Sequence, residues 1–226
     1  MEQPISVAAL IPAFNEASRI RTVVERAAEH LPVVVVDDGS SDGTAVQAEA
    51  AGATILRQRP NRGKGAALRR GFRHALDEGA DAVVTLDADG QHDPSEIPRF
   101  LDALAAQPAP DLVIGRRNFR TMPPSRRLAN EVGRRAFSWA VGHDVPDNQS
   151  GYRLVSRRLM ETMLTSTESG FEFEVEMITA ALRRGWPVTW VPIRTIYGPP
   201  SHIRPLHHLR HFARATLLAR REMRRG

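Results

Sequence analysis

The chain has 226 residues, 42% of them hydrophobic and 25% charged, with no cysteine and a formal net charge of +5. This length supports one hydrophobic core, the missing cysteines exclude disulfides and thiolate metal sites, and no apolar run reaches the roughly 20 residues that span a bilayer. The positive charge is concentrated at one end: residues 201–226 carry seven arginines against the single acid Glu222, while the only lysine in the chain is Lys64. Residues 1–5 show neither a basic lead nor a long apolar run, which reads against a secretory signal and predicts a cytoplasmic protein.

Short, largely β-branched runs at Val7–Ile11, Val33–Val36, Ala82–Leu86 and Leu112–Ile114 predict buried parallel strands. Helical patterns fill the intervals at Ala17–His30, Thr44–Ala51, Gly65–Leu76 and Ser95–Ala106. The last of these is preceded by Asp93-Pro94, a cap and a proline in the order that starts helices. Strands alternating with helices predict an α/β domain with a mainly parallel sheet, whose ligands lie beyond the carboxyl ends of the strands. Further on, a helix is expected at Glu174–Arg184 and a strand at Val188–Val191. Beyond the break Tyr197-Gly198-Pro199-Pro200, Leu206, Leu209, Ala213 and Leu217 recur at helical spacing. Trp139, Trp186 and Trp190 read as core residues. The organisation expected is one catalytic domain over residues 1–200, with a basic amphipathic tail over 201–226 that is not an independent domain.

Three loops that follow predicted strands hold the polar chemistry: Pro12-Ala13-Phe14-Asn15-Glu16, Asp37-Asp38-Gly39-Ser40-Ser41-Asp42-Gly43 and Asp87-Ala88-Asp89-Gly90-Gln91-His92. Acids converging on one rim repel unless a cation or a donor-rich ligand lies among them. Asp87-x-Asp89 offers hard oxygen ligands suited to Mg²⁺ or Mn²⁺, which leave positions for a substrate's phosphates. Asp38 is suited to accept from a nucleobase N–H, and Glu16 from ribose hydroxyls. Asp42 reads as a cap for the helix after Gly43. His92 orients a ligand or caps the next helix. Asn61-Arg62-Gly63-Lys64-Gly65 sets glycines and cations at a helix start, which favours an anion, but it is neither a dinucleotide fingerprint nor a P-loop.

In this order, the segments IPAFNE (11–16), VVDDGSSDG (35–43), NRGKGAALRRG (61–71), LDADGQHDP (86–94), DNQSGYR (147–153) and GFEFEVEM (170–177) resemble the family-two inverting glycosyltransferases of the glycosyltransferase-A fold. The branch resembled contains dolichyl-phosphate mannose synthases and other polyprenyl-phosphate sugar transferases. The resemblance implies a Rossmann-like glycosyltransferase-A domain with a mixed, mainly parallel sheet and a C-terminal amphipathic helix. It implies that Pro12, Phe14, Glu16 and Asp38 hold the nucleoside of a GDP- or UDP-sugar, that Lys64 and Arg69 lie near the donor, and that Asp87, Asp89 and Gln91 bind metal and diphosphate. On the acceptor side it implies Arg116, Arg117, Arg126, Arg127, Ser150 and Arg153, with Glu172 and Glu174 nearby. Arg204 and His202, after the last strand, fall in a region that closes over the diphosphate in that family.

A hydroxyl acceptor needs a general base, whereas a phosphate monoester is already ionised and needs arginine clamps instead. No Glu-Asp pair stands beside the arginine-rich stretch 116–135, with Asp144 and Asp147 the acids that follow it, so a polyprenyl phosphate is the expected acceptor. A basic amphipathic tail suits attachment to the inner face of a membrane. A transferase acting on a sugar or lipid hydroxyl is the alternative. A nucleotidyltransferase is disfavoured because the first strand leads into Pro-Ala-Phe-Asn-Glu rather than a basic Gly-rich loop. Nucleic-acid binding is disfavoured because the tail has Phe212 as its only aromatic residue.

Overall fold

A computed structural model of the chain describes residues 5–118, 124–170, 172–194, 196, 214 and 216–224. In chain order the elements are β1 (Val7–Ala13), α1 (Ile20–Ala28), β2 (Val33–Asp37), α2 (Thr44–Ala50), β3 (Thr54–Arg57), α3 (Lys64–Asp77), β4 (Ala82–Thr85), a 3₁₀ turn (Pro94–Glu96), α4 (Ile97–Leu104), β5 (Leu112–Arg117), α5 (Pro124–Val141), β6 (Arg153–Ser156), α6 (Arg157–Met163), α7 (Glu172–Arg183) and β7 (Val188–Ile193). A final helix, α8, covers 216–223.

Seven strands form one sheet in the order β3-β2-β1-β4-β6-β5-β7. Every neighbouring pair is parallel except those of β6, which runs antiparallel to both β4 and β5. The consequence matters for the site. The carboxyl ends of β1, β2, β4, β5 and β7 share one rim, and reversed β6 brings its amino end there too.

The apolar runs form strands because both faces of the sheet are covered. All five residues of β2 and all four of β4 are buried. One core layer gathers Phe72, Phe137, Met160, Phe173 and Ile178 from the helices packed on one face. The other gathers Ile20, Val24, Ala48, Ile97 and Phe100 on the opposite face. Each fully buried side chain of this size is worth roughly 1.5–3 kcal/mol relative to exposure. In α1 the buried residues Ile20, Val23, Val24 and Ala27 follow the i, i+3, i+4, i+7 pattern of an amphipathic helix.

One sequence expectation is corrected and two strands were missed. Trp139 is not core: its side chain is 64% exposed, while Trp186 and Trp190 pack against the core as expected. Leu217, on the tail's apolar stripe, is 59% exposed, while α8 turns Thr216, Ala219 and Met223 inward. β3 and β6 were not expected from hydropathy, since β3 is a half-exposed edge and β6 opens on a charged residue. Leu206, Leu209 and Ala213 lie outside the described residues. Among the described residues, no helix is long and apolar enough to cross a membrane.

Candidate active site at the carboxyl rim of the sheet

The first two loops are laced together. Asn15 sits at φ 56°, in the left-handed region. Its main-chain N–H donates to Ser40 Oγ at 2.9 Å, while its Oδ1 accepts from Ser41 N at 3.0 Å. Glu16 N donates to Thr44 Oγ1 at 2.8 Å, and Ala17 N to Asp42 Oδ2 at 3.1 Å. Asp42 also accepts from Thr44 N at 3.1 Å, so it caps α2 as its position predicted. Between these anchors Phe14 is a 47% exposed apolar ring in the loop after β1. Pro12 is half-buried. The Glu16 carboxylate pairs with Arg19 at 2.8 Å.

Asp38 does something the sequence did not reveal. It is 3% exposed, and its carboxylate accepts from Gln58 Nε2, from Arg62 N at 2.8 Å and from Gly63 N at 2.8 Å. It therefore fixes the turn that delivers Lys64. Gly63 is needed in that turn: its φ is +90°, and a Cβ there would lie 2.5 Å from the Ser169 carbonyl oxygen.

Lys64 opens α3 and reaches the third loop. Its Nζ lies 2.5 Å from Asp87 Oδ1 and 3.2 Å from Glu174 Oε1. Burial works against the ammonium, but the two carboxylates overcome it and hold the Lys64 pKa above the ordinary lysine value. Burial likewise works against the Asp87 carboxylate; Lys64, with help from Arg117, brings its pKa down to about 2. β6 packs tightly here. A Cβ on Gly151 would stand 2.6 Å from Lys64 Nζ and 3.0 Å from both Asp87 oxygens.

The Asp87–Gln91 turn is braced from within. Asp87 N donates to His92 Nδ1 at 3.0 Å, so that nitrogen carries no proton. Burial pushes the imidazole pKa below its usual value, against the pull of Asp87, so the ring is neutral. Tyr152 lies against it with ring centres 5.1 Å apart, and its hydroxyl donates to the Asp93 carbonyl at 3.1 Å. Asp89 accepts from Gln91 N at 2.9 Å and from Gln91 Nε2 at 2.7 Å. A cavity of about 290 Å³ lined by Arg19, Arg26, Asp89, Gln91, His92 and other residues adjoins this turn.

Two carboxylates and an amide oxygen make a hard donor set. Among the described residues no group of three or more acids and histidines surrounds a common metal position. Mg²⁺ or Mn²⁺ is commonly held by one or two protein carboxylates while substrate phosphates and water complete the shell, and Asp87, Asp89 and the Gln91 amide oxygen are donors of that kind. The residues present fit such an ion.

Arg116, next to last in β5, is exposed, and Arg127 is exposed on α5. Arg117 forms a bidentate pair with Asp147 at 2.7 and 2.9 Å, and Asp147 is 1% exposed. Ser150 is buried. The fully buried Arg153 donates to the carbonyls of Ser150 at 2.8 Å, of Asn148 at 3.2 Å and of Glu174. Expected among acceptor-side groups, it braces the 148–153 segment and the start of α7. Arg69, expected near the donor, donates to the carbonyls of Ser166 at 2.8 Å and Glu168 at 3.0 Å. His202 and Arg204 lie outside the described residues, as does the side chain of Arg126. The sequence reading underrated Glu174 and His92; an acid beside the only lysine and an aromatic two residues after Gly90 become informative once β6 is known to sit beside β4.

The model for Glycosyl transferase family 2 matches residues 8–164. "Glycosyltransferase AglJ" of Haloferax volcanii is 37% identical over 206 residues, covering 88% of this chain, which spans 65% of that protein. "Undecaprenyl-phosphate mannosyltransferase" of Micrococcus luteus is 33% identical over 205 residues, covering 83% of this chain and 82% of that one. Among solved structures, glucosyl-3-phosphoglycerate synthase from Mycobacterium tuberculosis in complex with Mn²⁺ and UDP-glucose superposes with a TM-score of 0.76 at 25% identity, over 96% of this chain and 79% of that one.

Proposed function

This chain belongs to glycosyl transferase family 2, and from that premise we propose that it moves a hexose, with inversion, from a nucleoside diphosphate sugar to a polyprenyl phosphate. Phe14, Pro12 and Glu16 receive the nucleoside. Asp38 acts one step behind them, by holding the Arg62–Gly63 turn. Asp87 and Asp89, with Gln91, hold Mg²⁺ or Mn²⁺ against the donor's diphosphate. The chemistry such an ion supplies is neutralisation of charge on the diphosphate. Lys64 supplies a fixed cation beside it, and Glu174 keeps that cation in place.

The observation that carries the acceptor reading is the state of Asp147. It is buried and bidentately paired with Arg117, so it is unavailable to take a proton from a hydroxyl. A phosphate acceptor needs no such base. Its oxygen forms the bond to the anomeric carbon as the bond from that carbon to the donor's diphosphate oxygen breaks, and the electron pair leaves with the nucleoside diphosphate. Exposed Arg116 and Arg127 are the groups that orient an incoming phosphate. Arg153 and Ser150 position the segment beside them. The similarity to the phosphoglycerate-glucosylating enzyme, over 96% of this chain, favours a hydroxyl on a small anionic acceptor as a second reading.

Residues 1–200 form the catalytic unit in this proposal. The tail attaches it peripherally to the inner face of a membrane, where the lipid acceptor resides.

The test is incubation with Mn²⁺ or Mg²⁺, guanosine- and uridine-diphosphate sugars, and a short polyprenyl phosphate, with Asp89→Ala as control. A glycosyl phospholipid detected by mass spectrometry, absent in the variant, is the expected result. Nucleoside diphosphate release with a hydroxyl acceptor but never with the lipid would replace the first reading by the second.

A further inference from the structure

α5 and α8 meet at Trp139. The Arg220 guanidinium carbon stands 3.5 Å from the ring centre, and its Nη1 donates to the Trp139 carbonyl at 3.3 Å. The indole is nonetheless 64% exposed. Val132, two helical turns earlier on the same face of α5, is 59% exposed, and so is Leu217, one turn before Arg220 on α8. Single exposed apolar residues are ordinary, but Val132 and Leu217 lie at helical spacing from the Trp139–Arg220 contact, on the two helices that it joins.

The surroundings are cationic. α5 carries four arginines against Glu131, and residues 214–224 carry four against Glu222. Arg127, Arg135, Arg214, Arg221 and Arg224 are exposed. The nearby acids are turned to other work: Glu131 pairs with Arg134 at 3.0 Å and Arg135 at 2.8 Å, and Asp144 with Arg134 at 2.8 Å. Glu222 lines a cavity on the opposite side of α8, towards α7.

We propose that this α5–α8 face docks on a membrane surface bearing anionic lipid, with Trp139 at headgroup depth and the arginines on lipid phosphates. An amphipathic aromatic beside cations is the arrangement that partitions into this interface. The inference deepens the polyprenyl-phosphate reading and rests on it for its purpose. The Arg117–Asp147 pair ties the strand entering α5 to the segment leaving it. A docked α5 therefore holds Arg116 beside the lipid layer from which a phosphate acceptor must come.

The test is co-sedimentation of the full chain with phosphatidylcholine vesicles, with and without about a third phosphatidylglycerol, at low and high salt. Binding confined to anionic vesicles, weakened by salt, is expected, together with a blue shift of tryptophan emission that Trp139→Phe removes. Trp139→Ala and Leu217→Ser should each lower vesicle affinity roughly tenfold, with an unchanged thermal transition and unchanged turnover of a short, water-soluble polyprenyl phosphate. Absence of any preference for anionic vesicles overturns the inference. So does binding that both variants leave intact, which would put the contact elsewhere in the tail. A dimer in light scattering that Trp139→Ala dissolves would make the face an interface between copies, and also overturns it. Vesicle binding that depends on Trp139 in a protein that transfers no sugar to lipid would uphold this surface while removing the acceptor reading.

Discussion

Asp87 and His92 are joined through the backbone: the N–H of Asp87 donates to the imidazole Nδ1 at 3.0 Å. The main chain at Asp87 is thus held by a histidine five residues on. His92→Ala should lower activity about 10- to 100-fold, the usual effect of removing a group that orients a metal-binding residue. Calorimetric titration of Mn²⁺ and a nucleoside diphosphate should show the loss as weaker metal-dependent binding. Unchanged binding would mean that the turn holds its shape without the ring.

Lys64→Met should expose the electrostatic debt of the rim. The Asp87 pKa is about 2 in the fold against 3.8 for the free group, so its pairing stabilises the protein above pH about 4 and is lost as pH falls towards 2. The Lys64 pKa is raised, so its contribution is complete at neutral pH and fades only in the alkaline range. Chelator-treated wild type should exceed the variant by roughly 1–2 kcal/mol between pH 5 and 8, discounted for partial exposure of the pair. The gap should close on acidification. Urea titrations at several pH values measure it, and a gap independent of pH down to about 2 would contradict the assignment.

Gly151→Ala should disable the site without unfolding the chain. The added methyl would stand 2.6 Å from Lys64 Nζ and 3.0 Å from the Asp87 oxygens. A displacement of this kind costs on the order of 100-fold in turnover. Thermal unfolding should shift by no more than the few degrees that losing the Lys64–Asp87 pairing costs, because the Lys64 end is a flexible chain that can move. Retained turnover would show that the Lys64–Asp87 contact is dispensable.

Arg116 and Arg117, adjacent in sequence, should fail in opposite ways. Arg117→Ala leaves the 1%-exposed Asp147 carboxylate without its partner, at a cost of about 3 kcal/mol in urea unfolding. Arg116→Ala should keep wild-type stability and lose about 100-fold in kcat/KM for a phosphate acceptor. Equal stability losses would erase the distinction.

The loops after β1, β2 and β4 were largely legible in sequence. These strands are apolar runs that lead into loops carrying acids, and parallel topology alone brings those loops together. The segment around β6 was not. β6 is four residues long and begins with Arg153, a charged residue that hydropathy assigns to the surface; only its buried bonds to three carbonyls reveal a brace. Asp38 shows the same blindness. The sequence tells that an acid follows β2, but not that it faces the Arg62–Gly63 amides. Trp139 misled for a simpler reason: residue type predicts burial only on average, and α5 turns this ring outward.

The reversed strand also determines where the chain can vary in length. β6 is zipped to β4 with Thr85 opposite Arg153 and Ala82 opposite Ser156. Because side chains alternate faces, a one-residue insertion or deletion that slips this ladder would send Leu154 and Val155 to the wrong layers together. It would also swing the Arg153 brace away from α7. Among the described residues between Arg117 and Asp147 there is no strand, and the Arg117–Asp147 ion pair joins the two ends of the excursion. A change of length within it would leave the sheet register alone, whereas one in the short run from Asn148 to Ser156 would not.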